Sequence, residues 1–153
     1  MPSPILYFVF LSALALLTFA SVKRIPEGHA YTLRRIGGHM RTLGAGTHLI
    51  LPLIERVAHK IRLLGNVVEI AIPPSAANAA ALRGRVYFQV LDAERADAVI
   101  DDVANLLRQR IPELAGDNAE EDYAARNLRL KAELNRDLRD RGLLVTRVQL
   151  APV

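Results

Sequence analysis

The sequence predicts an α+β protein: an N-terminal transmembrane helix, then a strand-rich meander, two α-helices and a closing strand. Three observations carry that prediction. A charge-free apolar run, Ile5 to Val22, opens the chain. From Tyr31 to Val90, apolar residues alternate with polar ones at period 2, and Gly and Pro cut the pattern into short pieces. From Asp92 the apolar spacing becomes helical, and only the last residues return to a strand pattern. Strands first and helices afterwards argue for an antiparallel or mixed sheet, not an alternating α/β chain.

The opening run would extend about 27 Å as a helix, close to the hydrocarbon thickness of a bilayer. Its large apolar side chains are Ile5, Leu6, Phe8, Val9, Phe10, Leu11, Leu14, Leu16, Leu17, Phe19 and Val22, with Tyr7 suited to an interface. Residues 1–4 carry no Lys or Arg, whereas Lys23 and Arg24 follow the run at once. That asymmetry predicts a retained anchor over residues 1–24. It places a domain of residues 25–153 on the cytoplasmic side of a single-pass membrane, such as a bacterial inner membrane. The other reading is a cleaved signal peptide. Thr18-Phe19-Ala20 offers small residues at the −3 and −1 positions, and an exported soluble binding module would then start near Ser21.

The meander follows. Pro26 and Glu27-Gly28 make a turn, because Pro fixes φ and Gly admits positive φ. Tyr31 and Leu33 alternate with Thr32 and Arg34 as a strand. Gly37-Gly38 predicts a two-residue hairpin loop. Gly44 and Gly46 mark the next turn, and Thr47 to Leu51 is a strand closed by Pro52. Val57, His59 and Ile61 alternate with Ala58, Lys60 and Arg62. After a Gly65-Asn66 turn comes a strand from Val67 to Ile72, stopped by Pro73-Pro74. An Ala-rich connector, Ser75 to Arg83, leads through Gly84 to a strand from Arg85 to Leu91, with Val86, Phe88 and Val90 on one face.

The first helix takes Asp92 as N-cap and Ala96, Val99, Ile100, Val103, Leu106 and Leu107 as its apolar positions, and Pro112 stops it. Its acidic residues Asp97, Asp101 and Asp102 are expected on a solvated face. The second helix runs roughly from Asn118 to Arg141. Asp117 and Glu120 resemble a capping box, acid loads its first turn and Arg136, Arg139 and Arg141 its last. Its stripe is Tyr123, Leu128, Leu130, Leu134 and Leu138, and Gly142 ends it. Leu143 to Leu150 is the closing strand.

The 153 residues carry a net charge of +4. Between Lys23 and Arg85 there are ten Lys/Arg against three Asp/Glu, and beyond Arg85 the balance reverses to ten against thirteen. The half next to the apolar run is basic. Lys23, Arg24, Arg34, Arg35 and Arg41 are the expected membrane-proximal cations, each contributing about 1 kcal/mol near anionic headgroups when well placed. The cations are scattered and Trp is absent, so no nucleic-acid partner is expected.

Catalytic chemistry is thinly represented. There is no cysteine, hence no thiolate and no disulfide. Ser75 stands outside any Gly-x-Ser-x-Gly motif. His29, His39, His48 and His59 lack helical metal-ligand spacing. Neither Gly37-Gly38 nor Gly44-x-Gly46 leads into a phosphate-binding helix. The sequence predicts no enzyme, no metal site and no cofactor.

These residues together resemble the stomatin, prohibitin, flotillin and HflK/HflC-like superfamily, the SPFH or band 7 domain. Directly after the apolar run, Pro26-Glu27-Gly28 match its first turn. Arg35 and Gly37 match the strand end, with Ile36 where Phe or Leu is usual. Arg41-Thr42-Leu43 match the next strand, and Gly46, His48 and Pro52 the following turn and run, with Ala45 where Pro is usual. Arg85 to Val90 is similar to the family's central strand. The resemblance covers about 125 residues, its helical half by order and length alone. It implies membrane scaffolding, contact with lipids, self-association or pairing with a related chain, and modulation of a membrane protease or channel. The family's long Ala/Glu-rich helix would begin where this chain stops, at Val153, so a small oligomer or accessory subunit is expected, not a large closed assembly.

Overall fold

The computed structural model describes residues 3–74, 81–115 and 122–153. The chain divides into two compact units, Met1–Lys60 and Ile61–Val153. The class is α+β, with an apolar N-terminal helix.

The first unit opens with α1 (Pro4–Ser21), which has Pro at its start, where the missing N–H costs nothing. It passes without a spacer into β1 (Val22–Ile25). Val22 is thus a strand residue, not the last of the helix, and Lys23 and Arg24 belong to a strand the sequence reading did not contain. Then come β2 (His29–Arg35), β3 (Met40–Leu43), β4 (Gly46–Leu49) and β5 (Glu55–Arg62). They do not form a meander. β1 pairs antiparallel with β4, while β2 lies between β3 and β5 in a separate sheet. The Gly44–Gly46 turn is the reason. Gly46 has φ +133°, open to glycine alone. The chain therefore leaves β3 for the other sheet instead of folding back on it. Ile25, Leu33, Leu43 and Ile50 close a core shared by both sheets, with Tyr31 and Val57 at its margin. The β2–β3 hairpin loop has three residues, not two. Arg35 N–H bonds to His39 O at 2.9 Å, leaving Ile36-Gly37-Gly38 at the tip. The alternation read for Val57–Arg62 holds throughout β5.

The second unit is a three-stranded antiparallel sheet, β6 (Asn66–Ile72), β7 (Leu82–Val90) and β8 (Leu143–Pro152), with β7 central. Val68, Ile70, Ile72, Val86, Phe88 and Val90 are buried, as their period predicts. β7 starts at Leu82, so Gly84 lies inside the strand and not ahead of it. It faces Ile70 and Leu150, where the backbones run so close that a Cβ would sit 1.7 Å from Gln149 O. A bulge shifts the register beyond Tyr87, and Thr146 Oγ1 donates to Tyr87 O there. The bulge moves the buried positions of β8 from Leu143 and Val145 to Val148 and Leu150.

The first helix is broken in two: α2 (Ala93–Ala96) and α3 (Val103–Ala115). Asp92 caps α2, accepting from Glu94 and Arg95 N–H. Asp97 is buried in the intervening turns, not on a solvated helix face. Pro112 lies inside α3. An interior Pro costs about 3 kcal/mol, but Val103, Leu107, Ile111 and Ala115 form a buried i, i+4 stripe that continues across it. α4 (Tyr123–Leu138) ends in a 3₁₀ turn, Arg139–Arg141, and Gly142 at φ +73° is the predicted stop. Its buried stripe is Arg126, Leu130, Leu134 and Leu138; Tyr123 and Leu128 are exposed. Arg126 lies over the Tyr123 ring, 5.5 Å from its centre, so a cation shares a stripe read as purely apolar. The expected connector over 75–80 and the capping box Asp117–Glu120 lie outside the described residues.

Two asparagines fasten α4 to the free edge of β8. Asn135 accepts from Val145 N–H at 2.7 Å and donates to Val145 O at 3.0 Å. Eight residues earlier, Asn127 does the same to Leu150, at 3.1 and 3.2 Å. Each amide supplies what a neighbouring strand would. Arg110 of α3 donates to Glu113 and to Asp137 of α4. Those hydrogen bonds, Glu113's first, raise its pKa further, so it stays charged.

Candidate membrane-docking site

The large apolar side chains of α1 are exposed along its length: Ile5, Leu6, Phe8, Val9, Phe10, Leu11, Leu14, Leu16, Leu17 and Phe19. Water is a poor solvent for such a surface and a bilayer a good one. The helix is long and apolar enough to cross a membrane; a signal sequence meets the same criterion. Its hydroxyls do not resist apolar surroundings. Ser12 donates to Phe8 O at 2.6 Å, Thr18 to Ala15 O at 2.8 Å and Ser21 to Leu17 O at 2.7 Å.

The helix exit is continuous with the β1–β4 ribbon. Ile50 N–H donates to Ser21 O at 2.7 Å, and Val22 pairs with Leu49 one residue on. Val22 and Leu49 are both exposed, an apolar cross-strand pair at the foot of the helix. Lys23 and Arg24 follow along β1, opposite His48 and Thr47, and are exposed.

Immediately after β4 the chain makes a tight loop, Ile50 to Ile54. Ile54 and Glu55 N–H both bond to Leu51 O, and Pro52 shapes the loop between them. Ile36 N–H donates to Ile54 O at 2.9 Å, which draws the β2–β3 hairpin tip onto this loop. Arg34, Arg35, Ile36, Leu53, Ile54 and Arg56 then line an open pocket of about 260 Å³. Ile36 is 75% and Leu53 76% exposed. Aliphatic side chains so bare, at loop tips and ringed by guanidinium groups, have the composition of an interfacial contact.

Among the predicted cations, Arg34 and Arg35 reach this pocket. Arg41 turns to Glu55, 3.9 Å away. Arg56, Leu51, Leu53 and Ile54 were not among the predicted docking residues. The signal was present at Ile36, an aliphatic residue at a hairpin tip where polar turn formers are usual.

The motif residues are placed as builders of turns and core. Pro26, Glu27 and Gly28 form a turn closed by His29 N–H to Pro26 O, with Gly28 at φ +75°. Gly37 takes positive φ at the hairpin tip. His48 Nε2 bonds to Gly44 O at 2.9 Å and braces the Gly46 turn. Leu43 enters the core, and Thr42 faces Thr32 across the β2–β3 ladder; both hydroxyls are buried without a hydrogen-bond partner among the described residues. Among the described residues, no group of three or more His, Asp or Glu is arranged to hold a metal. No family model matches the chain.

Proposed function

We propose that the protein is a non-enzymatic, single-anchor membrane scaffold of the stomatin–prohibitin (SPFH or band 7) type. It associates with itself or a related chain, organises lipids around it and modulates a partner membrane protein, a protease or a channel. Residues 1–24 anchor it and residues 25–153 form the cytoplasmic domain. The observation that carries this reading is the unbroken path from α1 through Val22–Leu49 into an apolar, arginine-flanked face. Embedding a bare Leu or Ile favours binding by up to about 1.5–3 kcal/mol. A nearby Arg adds about 1 kcal/mol on anionic lipid. The family assignment rests on the motif spacing and on the order of strands, helices and closing strand.

Alkaline carbonate and high salt are expected to leave the full chain in the membrane fraction, and mild detergent to release it as an oligomer. Release by salt alone would remove the anchor, and a C-terminal reporter active outside the cytoplasm would reverse the orientation. The docking face has its own test, helped by the absence of native cysteine. An environment-sensitive fluorophore on Leu53→Cys is expected to report an apolar setting in vesicles containing anionic lipid, and one on Leu128→Cys to report water. Equal, water-like emission from both positions would leave the face without a membrane role.

One observation favours the second reading, an exported module with a cleaved segment. The ribbon's hydrogen bonding begins at Ser21, so cleavage after Ala20 would leave it whole. N-terminal sequencing of the mature protein separates the two: a start near Ser21 means export.

A further inference from the structure

We infer that the outer face of the β6–β7–β8 sheet receives the acidic turn Asp92–Asp102 of a second copy, in a head-to-tail contact. The strand register lays this face out as a grid. Val67, Tyr87 and Arg147 form one row, Glu69, Arg85 and Gln149 the next, and Ala71, Arg83 and Ala151 the last. The two lower rows frame an open groove of about 640 Å³. Arg85 is occupied by Glu69 at 3.2 Å, and Arg147 lies against the Gln149 amide, whose oxygen accepts from it when the amide is turned to face the guanidinium. Arg83 has no ion pair among the described residues. Its cross-strand neighbours are both alanine, so an incoming carboxylate meets no steric wall.

The complement lies at the other end of the same strand. Residues 92–102 hold five Asp/Glu and a single base, Arg95, which is paired with Asp92 at 3.2 Å. Glu94, Asp101 and Asp102 are exposed, and the Asp92 cap fixes the start of the turn. β7 rises about 3.3 Å per residue, so Arg83 stands roughly 23 Å from the strand end at Val90, beyond which the acidic turn begins. The screening length at physiological salt is about 8 Å. Within one copy these two ends do not neutralise each other; between copies they match. A contact joining two different surfaces propagates into a ring or an open row, which a lateral scaffold requires. The inference rests on the self-association in the scaffold reading and not on its membrane part.

The test uses full-length protein in mild detergent, with assembly mass read against concentration. Arg83→Glu and the pair Glu94→Lys/Asp102→Lys are each expected to weaken self-association roughly tenfold. Combining them should restore it to within about threefold. Thermal melting accompanies each variant, since all three positions are surface sites and should hold their melting temperature. Assembly that ignores both charge reversals, or that responds instead to Glu120→Lys/Glu121→Lys, overturns this contact while leaving the scaffold reading in place. A wild-type chain that stays monomeric at all concentrations overturns both. Carbonate-resistant membrane retention of every variant shows that the anchor is not what was disturbed.

Discussion

Gly84→Val is expected to be the most damaging single change in the second unit. The new Cβ would meet Gln149 O at 1.7 Å and Leu150 Cα at 2.8 Å, and both are backbone atoms. A flexible side chain would move aside, but here the strand itself must shift. It is held by the β7–β8 ladder on one side and by the α4 asparagines on the other. Overpacking of this kind costs about 3 kcal/mol at the rigid end of its range. For a unit of this size the melting temperature should fall by roughly 12–24 °C. Ala71→Val, on the exposed face of the neighbouring strand, is the control and should change stability by less than about 0.5 kcal/mol. Calorimetry of the two variants decides it: a Gly84→Val melt within about 2 °C of the parent would mean that the strands have room to part.

The paired substitution Asn127→Ala/Asn135→Ala should have the second-largest effect. It removes four hydrogen bonds and leaves the amides and carbonyls of Val145 and Leu150 without partners at a part-buried edge. Each unsatisfied group costs about 1–3 kcal/mol, tempered where water reaches it. A loss of about 3–4 kcal/mol for the pair is expected. Hydrogen exchange gives the specific readout, since the Val145 and Leu150 amides should lose protection beyond the global change. The freed edge of β8 should also promote aggregation, because an uncovered strand edge is a template for pairing. Asn135→Asp keeps the acceptor for Val145 N–H and loses the donor, so it should exchange at an intermediate rate. Unchanged protection at both amides would show that α4 does not guard this edge.

Much of the fold was legible because period carries it. Val57–Arg62, Val67–Ile72 and Val86–Val90 alternate cleanly, and burial alternates with them. What escaped was governed by contacts distant in sequence. Val22–Ile25 has no strand pattern of its own; it is a strand because Gly46–Leu49 lies beside it. Pro112 reads as a stop, yet the burial of Ile111 and Ala115 carries the helix past it. Arg126 was missed because a charged residue rarely occupies a buried stripe. Asn127 and Asn135 left a faint trace, two poor helix formers at two-turn spacing on one helix. At the candidate docking face, the sequence indicated Arg34 and Arg35 but not Arg56, and only the Ile36–Ile54 bond brings Ile36 beside Leu53.

The missing spacer between α1 and β1 has a mechanical consequence. A domain that hangs from a flexible tether can swivel. Here the last carbonyl of the helix is already a rung of the ribbon. Tilting the helix tips the ribbon, and spinning the helix about its axis swings Lys23 and Arg24 around it. In the proposed spanning reading, a helix of about 27 Å is slightly short for an average bilayer and draws the leaflets inward, tilting only where the bilayer is thinner than the helix is long. Under that proposal, a thinner bilayer would change the angle at which the first unit meets the headgroups. Inserting two or three glycines after Ser21 would cut that linkage while leaving both ends in place.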